Sequence, residues 1–207
     1  MAFSSGFTAV TGATFLASQY NTYVRDNFTA IWVFTTAGDM IYATSSTVAA
    51  RLAIGSPRQV LRVNTGGTAP AWSNTIFASI TRAAVQSIGT GSATLVSFDT
   101  ELIDTDGFWD AGSPTIFTVP YTGYYLFAGF FSFASNATGI RYFSLQSGGG
   151  TVYSEDKRAA VNGDVTSANL QALRYLAATN TVRMYVYQNS GGNLNVTGLL
   201  AATFLGT

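Results

Sequence analysis

One stretch, "GYYLFAGFFSFA" at residues 123–134, most constrains what this chain can fold into. The side chains of a β-strand alternate between its two sides, which divides the stretch into two rows. One row is Tyr124, Leu126, Ala128, Phe130 and Ser132, and the other is Tyr125, Phe127, Gly129, Phe131 and Phe133. Both rows are largely apolar, so both sides of the strand need cover. One side can face a protein core, and we expect a neighbouring subunit to cover the other.

The chain as a whole carries little charge. Charged residues make up 10% of the sequence, against about 25% in an average soluble domain. Large uncharged surfaces are typical of contacts between chains, so we expect an obligate oligomer. Ten basic residues balance ten acidic ones, and no cluster of Lys and Arg forms a stripe that could follow a phosphate backbone. Nucleic acid is therefore not an expected partner.

Two chemically important residue types are missing, since the chain contains neither cysteine nor histidine. A disulfide, a thiolate metal ligand and the usual general base are excluded with them. We therefore predict a protein that is not an enzyme and that carries no cofactor. The most apolar window, 116–133, includes Pro120, Gly123 and Gly129 among β-forming residues. Buried strands are expected there, and no membrane span.

From residue 82 onward the chain consists of short β-prone runs. Turn residues separate them at intervals of about 8 to 15 residues, which predicts a mainly β fold, an antiparallel sandwich. Alternation is clearest in "TVRMYVYQN" at 181–189. Its valines and Met184 would face the core, while Arg183, Tyr185 and Tyr187 would form an outer face similar to those at subunit contacts.

The N-terminal region contains the one convincing helical pattern, over residues 14–34. Apolar residues recur there every three or four positions, at Leu16, Tyr20, Val24, Phe28 and Ile31. Thr14 or Ser18 could serve as the N-cap. No second helix is predicted for this apolar stripe to pack against. We expect the helix to attach the protein to a partner chain, the alternative being that it folds back on its own β-domain.

We predict that the segment after the helix forms a connection and not a domain of its own. Its β-prone runs are too short to build a core in a single copy, and intertwining of several chains would solve that problem. We therefore expect three regions: an N-terminal attachment segment at 1–34, a short β-rich stalk at 35–81 and the sandwich at 82–207.

Half of the acidic residues lie in one stretch, "DTELIDTDGFWD" at 99–110. Asp104, Asp106 and Asp110 resemble part of a calcium loop, although the later bidentate Glu of such a loop is missing. Two carboxylates facing each other across a groove could also cleave glycosides. The third interpretation, a loop facing water, is the usual one for an acidic run.

Two further features allow more than one interpretation. The glycine run 148–150 reads as a flexible turn, since no phosphate-binding pattern follows it. Exposed aromatic rings could stack on sugars or pack at a subunit interface. The candidates are Trp109, Tyr121, Tyr153, Tyr185 and Tyr187.

The motifs of the C-terminal region resemble those of the C1q/TNF-like jelly-roll family. A Phe-x-x-Pro-x-x-Gly-x-Tyr-x-Phe pattern, a Leu-containing strand, a hydrophobic penultimate strand and a Gly-x-Leu closing strand carry the resemblance. The matching positions are Phe117, Pro120, Gly123, Tyr125, Phe127, Leu145, Val182, Val186, Gly198 and Phe204. The resemblance implies a ten-stranded, two-sheet jelly roll that forms a homotrimer through aromatic sheet faces. The interface residues we predict on this basis are Tyr125, Phe127, Phe131, Tyr185 and Tyr187.

The N-terminal third resembles a different group. "FLASQYNTYVRDNF" is similar to a helix near the start of phage structural proteins, and "GDMIYATSSTVAARLAIGSPRQVLRVNTGGTAPAW" to a stalk element of phage tail and head fibres. The matching stalk positions are Gly38, Asp39, Ala50, Arg51, Leu52, Gly55, Gln59, Val60, Leu61, Pro70, Ala71 and Trp72. The order of attachment helix, stalk and C-terminal knob implies a short trimeric fibre on a virion.

These expectations combine into one functional hypothesis. Under this hypothesis, the protein is a trimeric tail or head fibre that is assembled in the host cytoplasm and carried on the virion. Its knob would bind a host surface receptor or glycan. Other virion proteins would bind its N-terminal segment. Two alternatives stay open: a capsid decoration or assembly protein without host binding, and a glycan-cleaving spike enzyme that uses the acidic stretch.

Overall fold

The computed structural model describes residues 11–12, 14, 16–57, 59–64 and 66–206. The chain divides into two compact units, Met1–Asn74 and Thr75–Thr207. Residues 1–10 of the predicted attachment segment lie outside the described residues. No helix among the described residues is long and apolar enough to cross a membrane.

The first unit begins with a helix made of three segments. An α-helical turn, α1 (Ala17–Tyr20), leads into a π-helical segment (Asn21–Arg25) and then into α2 (Asp26–Ile31). The N-cap is Leu16 rather than Thr14 or Ser18. Leu16 cannot cap through its side chain, and its backbone N–H instead donates to Gln19 Oε1 at 2.9 Å. The helix is thus shorter than predicted at both ends.

Two β-hairpins complete this unit. β1 (Met40–Ser45) pairs with β2 (Val48–Leu52), and β3 (Val60–Val63) pairs with β4 (Pro70–Ser73), both in antiparallel fashion. Most of their residues are exposed or half-buried, as expected for two-stranded sheets that have no core of their own. Among the described residues of this unit, only Ala30 is fully buried.

The second unit is an antiparallel sandwich, which confirms the predicted mainly β fold class. Its strands are β5 (Phe77–Ile88), β6 (Thr94–Leu95), β7 (Thr100–Asp104), β8 (Phe117–Thr118), β9 (Gly123–Phe133), β10 (Ile140–Ser147), β11 (Val152–Ala159), β12 (Thr166–Leu176), β13 (Thr181–Gln188) and β14 (Leu194–Gly206). One five-stranded sheet, here named the front sheet, has the order β12-β9-β14-β5-β7. The other, the back sheet, has the order β11-β10-β13-β6, with β8 also paired to β13.

Successive strands change repeatedly from one sheet to the other. β9 lies in the front sheet, β10 and β11 in the back sheet, β12 in the front, β13 in the back and β14 in the front again. This alternation, in two packed antiparallel sheets, is the jelly-roll arrangement. The inward-facing residues of both sheets meet in one apolar core rich in phenylalanine.

The corner before β9 explains the Pro-x-x-Gly-x-Tyr pattern in physical terms. Gly123 has a φ of +153°, and a Cβ there would lie 2.4 Å from the carbonyl oxygen of Gly206, so only glycine fits. Tyr125 is fully buried, and its hydroxyl donates to the carbonyl of Tyr121 at 2.6 Å. The hydroxyl oxygen of Tyr125 in turn accepts from the Tyr121 N–H at 3.1 Å. The phenol therefore ties the corner to the core without leaving a buried polar group unpaired.

The division between the units differs from the predicted one at residues 81 and 82. β5 is continuous from Phe77 to Ile88, and its first half pairs with β14. Ala78 and Ile80 within it belong to the core. A boundary after residue 81 would cut through this strand and through its pairing with β14.

Candidate functional site

An extended apolar surface lies on the outward side of three strands of the front sheet, and we name it the front face. It consists of alternate residues of the three neighbouring strands β12, β9 and β14. The members are Ser167, Asn169, Gln171, Leu173 and Tyr175 from β12, Tyr124, Leu126, Ala128, Phe130 and Ser132 from β9, and Thr197, Leu199, Ala201 and Thr203 from β14. None of these residues is charged. An uncharged sheet face of this kind is typical of a surface that another chain covers.

Strand register brings the apolar residues of the front face side by side. Leu173 lies opposite Leu126 and Tyr175 opposite Tyr124, whose rings meet edge to face with centroids 5.1 Å apart. Leu199 lies opposite Phe130 on the other side of β9. The large apolar side chains of β9 and β12 on this face are 42–57% exposed in the single chain. The front face therefore presents large apolar side chains of two neighbouring strands to solvent.

Three of the predicted interface residues lie on the wrong side of β9. Tyr125, Phe127 and Phe131 are 0% exposed and form part of the core within one chain. Their side chains cannot contact another chain while the sandwich is folded. The prediction took the wrong row of the strand, because the two rows are almost equally aromatic. The row that faces outward contains Tyr124, Leu126 and Phe130.

The other two predicted interface residues lie on the opposite sheet. Tyr185 and Tyr187 are half-buried on the outward side of β13, where Tyr187 pairs with Tyr142 of β10. The Tyr142 hydroxyl donates to Glu155 at 2.5 Å, and burial together with this carboxylate raises the pKa of Tyr142. The outward side of the back sheet is thus polar as well as aromatic. Its tyrosines lie on the opposite sheet from the front face.

The helix presents its apolar stripe to solvent. Leu16, Tyr20, Val24, Phe28 and Ile31 are 41–64% exposed within the chain. Trp32 extends the stripe, since its ring stacks on that of Phe28 with centroids 6.1 Å apart. The predicted attachment residues thus lie on one accessible surface, and what binds there stays a prediction.

The motif that resembles a phage stalk element forms a network of contacts within the first unit. The Asp39 carboxylate accepts from Arg51 Nε at 2.6 Å and from the backbone N–H groups of Thr35, Thr36 and Ile54 at 2.8–3.1 Å. Arg51 and these N–H groups hold the pKa of Asp39 well below its usual range. One carboxylate therefore joins both ends of the first hairpin.

Trp72 extends this network to the second hairpin. Its indole N–H donates to the carbonyl of Ala53 at 2.7 Å. Gly55 lies directly against the indole, and a Cβ at Gly55 would approach the ring to 2.6 Å. We name Asp39, Arg51, Gly55 and Trp72 the hairpin clasp. The spacing of these motif residues is thereby explained by contacts that they make with one another.

The acidic stretch uses its carboxylates to shape a loop. Asp104 Oδ1 accepts from the N–H of Gly107 at 2.9 Å, and its Oδ2 accepts from that of Trp109 at 2.8 Å. Asp106 accepts from the hydroxyl of Tyr121, and Asp110 accepts from the N–H of Gly112. In the described part of the chain no three acidic residues are grouped so as to hold a metal ion. The geometry therefore offers no support for the predicted calcium site.

The start of the acidic stretch is also engaged within the chain. Asp99 accepts from the N–H groups of Ala83 and Ala84 at 2.8 and 3.0 Å and pairs with Arg82 at 3.2 Å. Burial alone would raise the pKa of Asp99, but these donors lower it on balance. Of the predicted sugar-stacking rings, Trp109 lies within this stretch and Tyr121 donates to its Asp106, and both rings pack against the core. Tyr153 lies on β11, at the edge of the back sheet.

Sequence reasoning missed the contribution of β12 to the front face. A signal was present, because "TSANLQALRYL" alternates small or apolar residues with polar or large ones. Leu173 and Tyr175 belong to the outward row of this pattern, while Ala168, Leu170 and Ala172 are buried. The signal is weak because the outward row changes from polar to apolar along the strand.

Two packed antiparallel sheets with strands that alternate between them place the second unit in the class of jelly-roll sandwiches. Among solved structures, the chain is similar to the globular domain of zebrafish complement 1qA, with 15% identity, a TM-score of 0.49 and coverage of 63% of this chain and 98% of that one. It is also similar to murine APRIL, with 14% identity, a TM-score of 0.45 and coverage of 61% and 98%. A third similar structure is the Eiger TNF of S. frugiperda, with 12% identity, a TM-score of 0.45 and coverage of 64% and 93%. No protein-family model and no curated protein sequence matches the chain.

Proposed function

We propose that the protein is a homotrimer assembled through the front face. The observation that carries this proposal is a sheet face with large apolar side chains on two neighbouring strands and no charged residue among its members. Burial of apolar surface gains about 25 cal/mol per Å², so such a face favours association. The threefold order comes from the resemblance of the C-terminal motifs.

The assembly is tested by measuring mass in solution. The protein should elute with a mass of about 66 kDa by light scattering, three times the 21.9 kDa of one chain. Leu126→Glu places a carboxylate in the middle of the front face and should give the single-chain mass. Val161→Glu is the matched control, because Val161 is a similarly exposed apolar residue in the loop between β11 and β12, and this variant should keep the full mass. A single-chain mass for the unaltered protein would contradict the proposal.

We further propose that the trimer is a structural protein of a phage particle, a short tail or head fibre whose knob binds a host surface receptor or glycan. The resemblance of residues 38–72 to fibre stalk elements supports the virion assignment. The hairpin clasp supports it too, since it gives these motif residues a shared structural role. The exposed stripe on the helix is a suitable surface for attachment to another virion protein.

Attachment and host binding are tested separately. Phe28→Asp together with Val24→Asp should abolish incorporation of the fibre into particles, measured by immunoblotting of purified virions. The purified variant should still adsorb to host cells, because the knob is unchanged. Ser18→Asp, at an exposed position in the first turn of the same helix, is the control for added charge and should leave incorporation intact. Unaltered protein that enters particles but neither adsorbs to cells nor competes with infection would favour a decoration protein instead.

A further inference from the structure

A small cleft lies at the edge of the back sheet, between two loops that are distant in sequence. It has a volume of about 320 Å³ and is lined by Ser147, Gly148, Gly149, Tyr153, Thr179, Asn180 and Thr181. The strand pairing places these residues together, because β10 lies between β11 and β13. The end of β10 pairs with the start of β13, at Ser147 and Val182. The volume is at the lower end of the range of ligand pockets.

The glycine run forms one wall of the cleft, and hydrogen bonds fix its path. The N–H of Gly148 donates to the carbonyl of Thr181 at 2.8 Å, and the N–H of Gly150 donates to that of Ser147 at 3.0 Å. Gly150 has a φ of +88°, a conformation that favours glycine. A Cβ on Gly148 would lie 2.0 Å from Thr181 Oγ1, so glycine allows the loop to lie directly against β13. The glycine run therefore forms a turn, and this turn is one wall of the cleft.

The opposite wall contains a residue in a strained conformation. Thr179 has a φ of +68°, and it is the one described residue other than glycine with a positive φ. Such a conformation is costly for a β-branched residue and tends to occur at functional sites. Hydrogen bonds hold it in place, because the Thr179 N–H donates to Val119 and the Val119 N–H donates to Asn180, both at 2.9 Å. The turn thereby directs Thr179 and Asn180 into the lining of the cleft.

The lining of the cleft combines one aromatic ring with hydroxyl and amide groups. Ser147, Thr179 and Thr181 carry hydroxyls, and Asn180 carries a side-chain amide. Ser147 Oγ accepts from the Thr151 N–H at 2.9 Å and Asn180 Oδ1 from the Ala177 N–H at 3.0 Å, which fixes the positions of these two side chains. Arg174 fixes the position of Tyr153, since its Cζ lies 5.2 Å from the ring centroid and its Nη2 donates to the Tyr153 carbonyl at 2.8 Å. No charged residue is among those that line the cleft, and the guanidinium of Arg174 beside it is engaged by the ring and the carbonyl of Tyr153.

We propose that this cleft binds one unit of a neutral sugar. A sugar presents an apolar ring face, which packs on an aromatic ring, and a rim of hydroxyls, which pair with hydroxyl, amide and backbone groups. The cleft offers both kinds of contact within a space of suitable size for such a unit. This inference gives a chemical class to the host glycan of the proposed function and a location to its binding site.

Binding is tested on the full chain with defined sugars as probes. Saturation-transfer NMR with lactose, maltose, cellobiose and N,N′-diacetylchitobiose should show contact for at least one probe, with a dissociation constant of about 1 mM, typical of a single small site. Gly149→Trp should weaken that binding at least about tenfold by filling the cleft. The nearest atom to a Cβ at Gly149 lies 3.8 Å away, so the fold accommodates the substitution. Gly192→Trp is the matched control, since Gly192 also lies in open space on a loop, and it should bind as the unaltered protein does.

A second pair of variants keeps the inference testable if Gly149→Trp fails to fold. Tyr153→Ala should abolish binding of the same probe, and Tyr153→Phe should retain most of it because the ring remains. Binding of none of the four probes, or equal binding by Gly149→Trp and Gly192→Trp, would overturn the inference. Adsorption to host cells reports on the proposed function separately. Adsorption without sugar binding would overturn the inference alone, and sugar binding without adsorption would overturn the host-binding role alone.

Discussion

At the scale of single residues, Asp39 shows how much one carboxylate can organise in a chain with few charges. It accepts hydrogen bonds from the segment before β1, from Arg51 in β2 and from Ile54 beyond β2. These contacts stabilise the charged form, which is why the pKa of Asp39 lies well below its usual range. The resemblance of the motif could single out Asp39 and Arg51, but the sequence could not show that they bind each other.

The clasp should therefore respond to acid in a defined direction. An unfolded Asp titrates near pH 3.9, and the folded carboxyl titrates lower. Its stabilising contribution is thus complete above about pH 4 and is lost as the pH falls through the folded pKa. Arg51→Met should raise the pKa of Asp39 towards the ordinary value without reaching it, since the backbone donors remain. Carboxyl ¹³C NMR titration measures this change.

A matched substitution separates this contact from a general loss of charge. Arg62→Met removes a positive charge from β3 of the neighbouring hairpin and should leave the pKa of Asp39 unchanged. An equal upward shift of that pKa in both variants would mean that long-range charge, rather than the contact with Arg51, sets it.

At the scale of the element, β9 shows what periodicity can and cannot decide. Alternation predicted a strand with one row inside and one outside, and this is what the structure contains. It could not say which row faces inward, because a polar row usually marks the outside and here neither row is polar. Which row of β9 faces inward depends on small residues in the neighbouring strand β14. Gly198 of β14 leaves room for the Phe131 ring, as a Cβ there would approach it to 2.1 Å.

The neighbouring pair Phe130 and Phe131 tests this assignment directly. In a Leu126→Glu background, which should be monomeric, Phe131→Ala should lower the free energy of unfolding by about 3–5 kcal/mol because it leaves a cavity in the core. Phe130→Ala in the same background should cost less than about 1 kcal/mol, because that ring is half exposed. Urea denaturation followed by circular dichroism measures both values. Equal losses would show that the two rows do not differ in burial.

The acidic loop is an element whose composition suggested one chemistry and whose geometry serves another. The Asp-x-Asp-Gly spacing is shared by calcium loops and by tight turns in which carboxylates accept backbone N–H groups. Asp104 takes the second role towards Gly107 and Trp109. Composition could not separate the two, because both need the same oxygen atoms close to the same backbone.

At the scale of the whole molecule, the boundary between the two units lies before β5. A fragment of residues 75–207 should therefore fold by itself and unfold in one cooperative transition. A fragment of residues 82–207 should not fold, because it lacks Ile76, Ala78 and Ile80 of the core and half of the β5–β14 pairing. Amide chemical-shift dispersion in NMR spectra distinguishes the outcomes. Similar dispersion for both fragments would place the boundary at residue 82 after all.

The sandwich itself was predictable because its strands and turns repeat regularly over more than a hundred residues. The cleft beside Tyr153 was not, since it depends on the pairing of β10 with β13 and on the backbone of Thr179. Neither feature has a local sequence pattern.

The absence of charged residues from the front face has a consequence for the environments in which the protein can work. Ions in solution act on an interface mainly by screening its charges, and acidity acts by adding or removing protons. An assembly of copies across the front face would have no charged groups for ions to screen or for protons to neutralise. The stability of such an assembly should therefore change little with charge screening or mild acidity, and it should rise in salts such as sulfate that strengthen apolar burial.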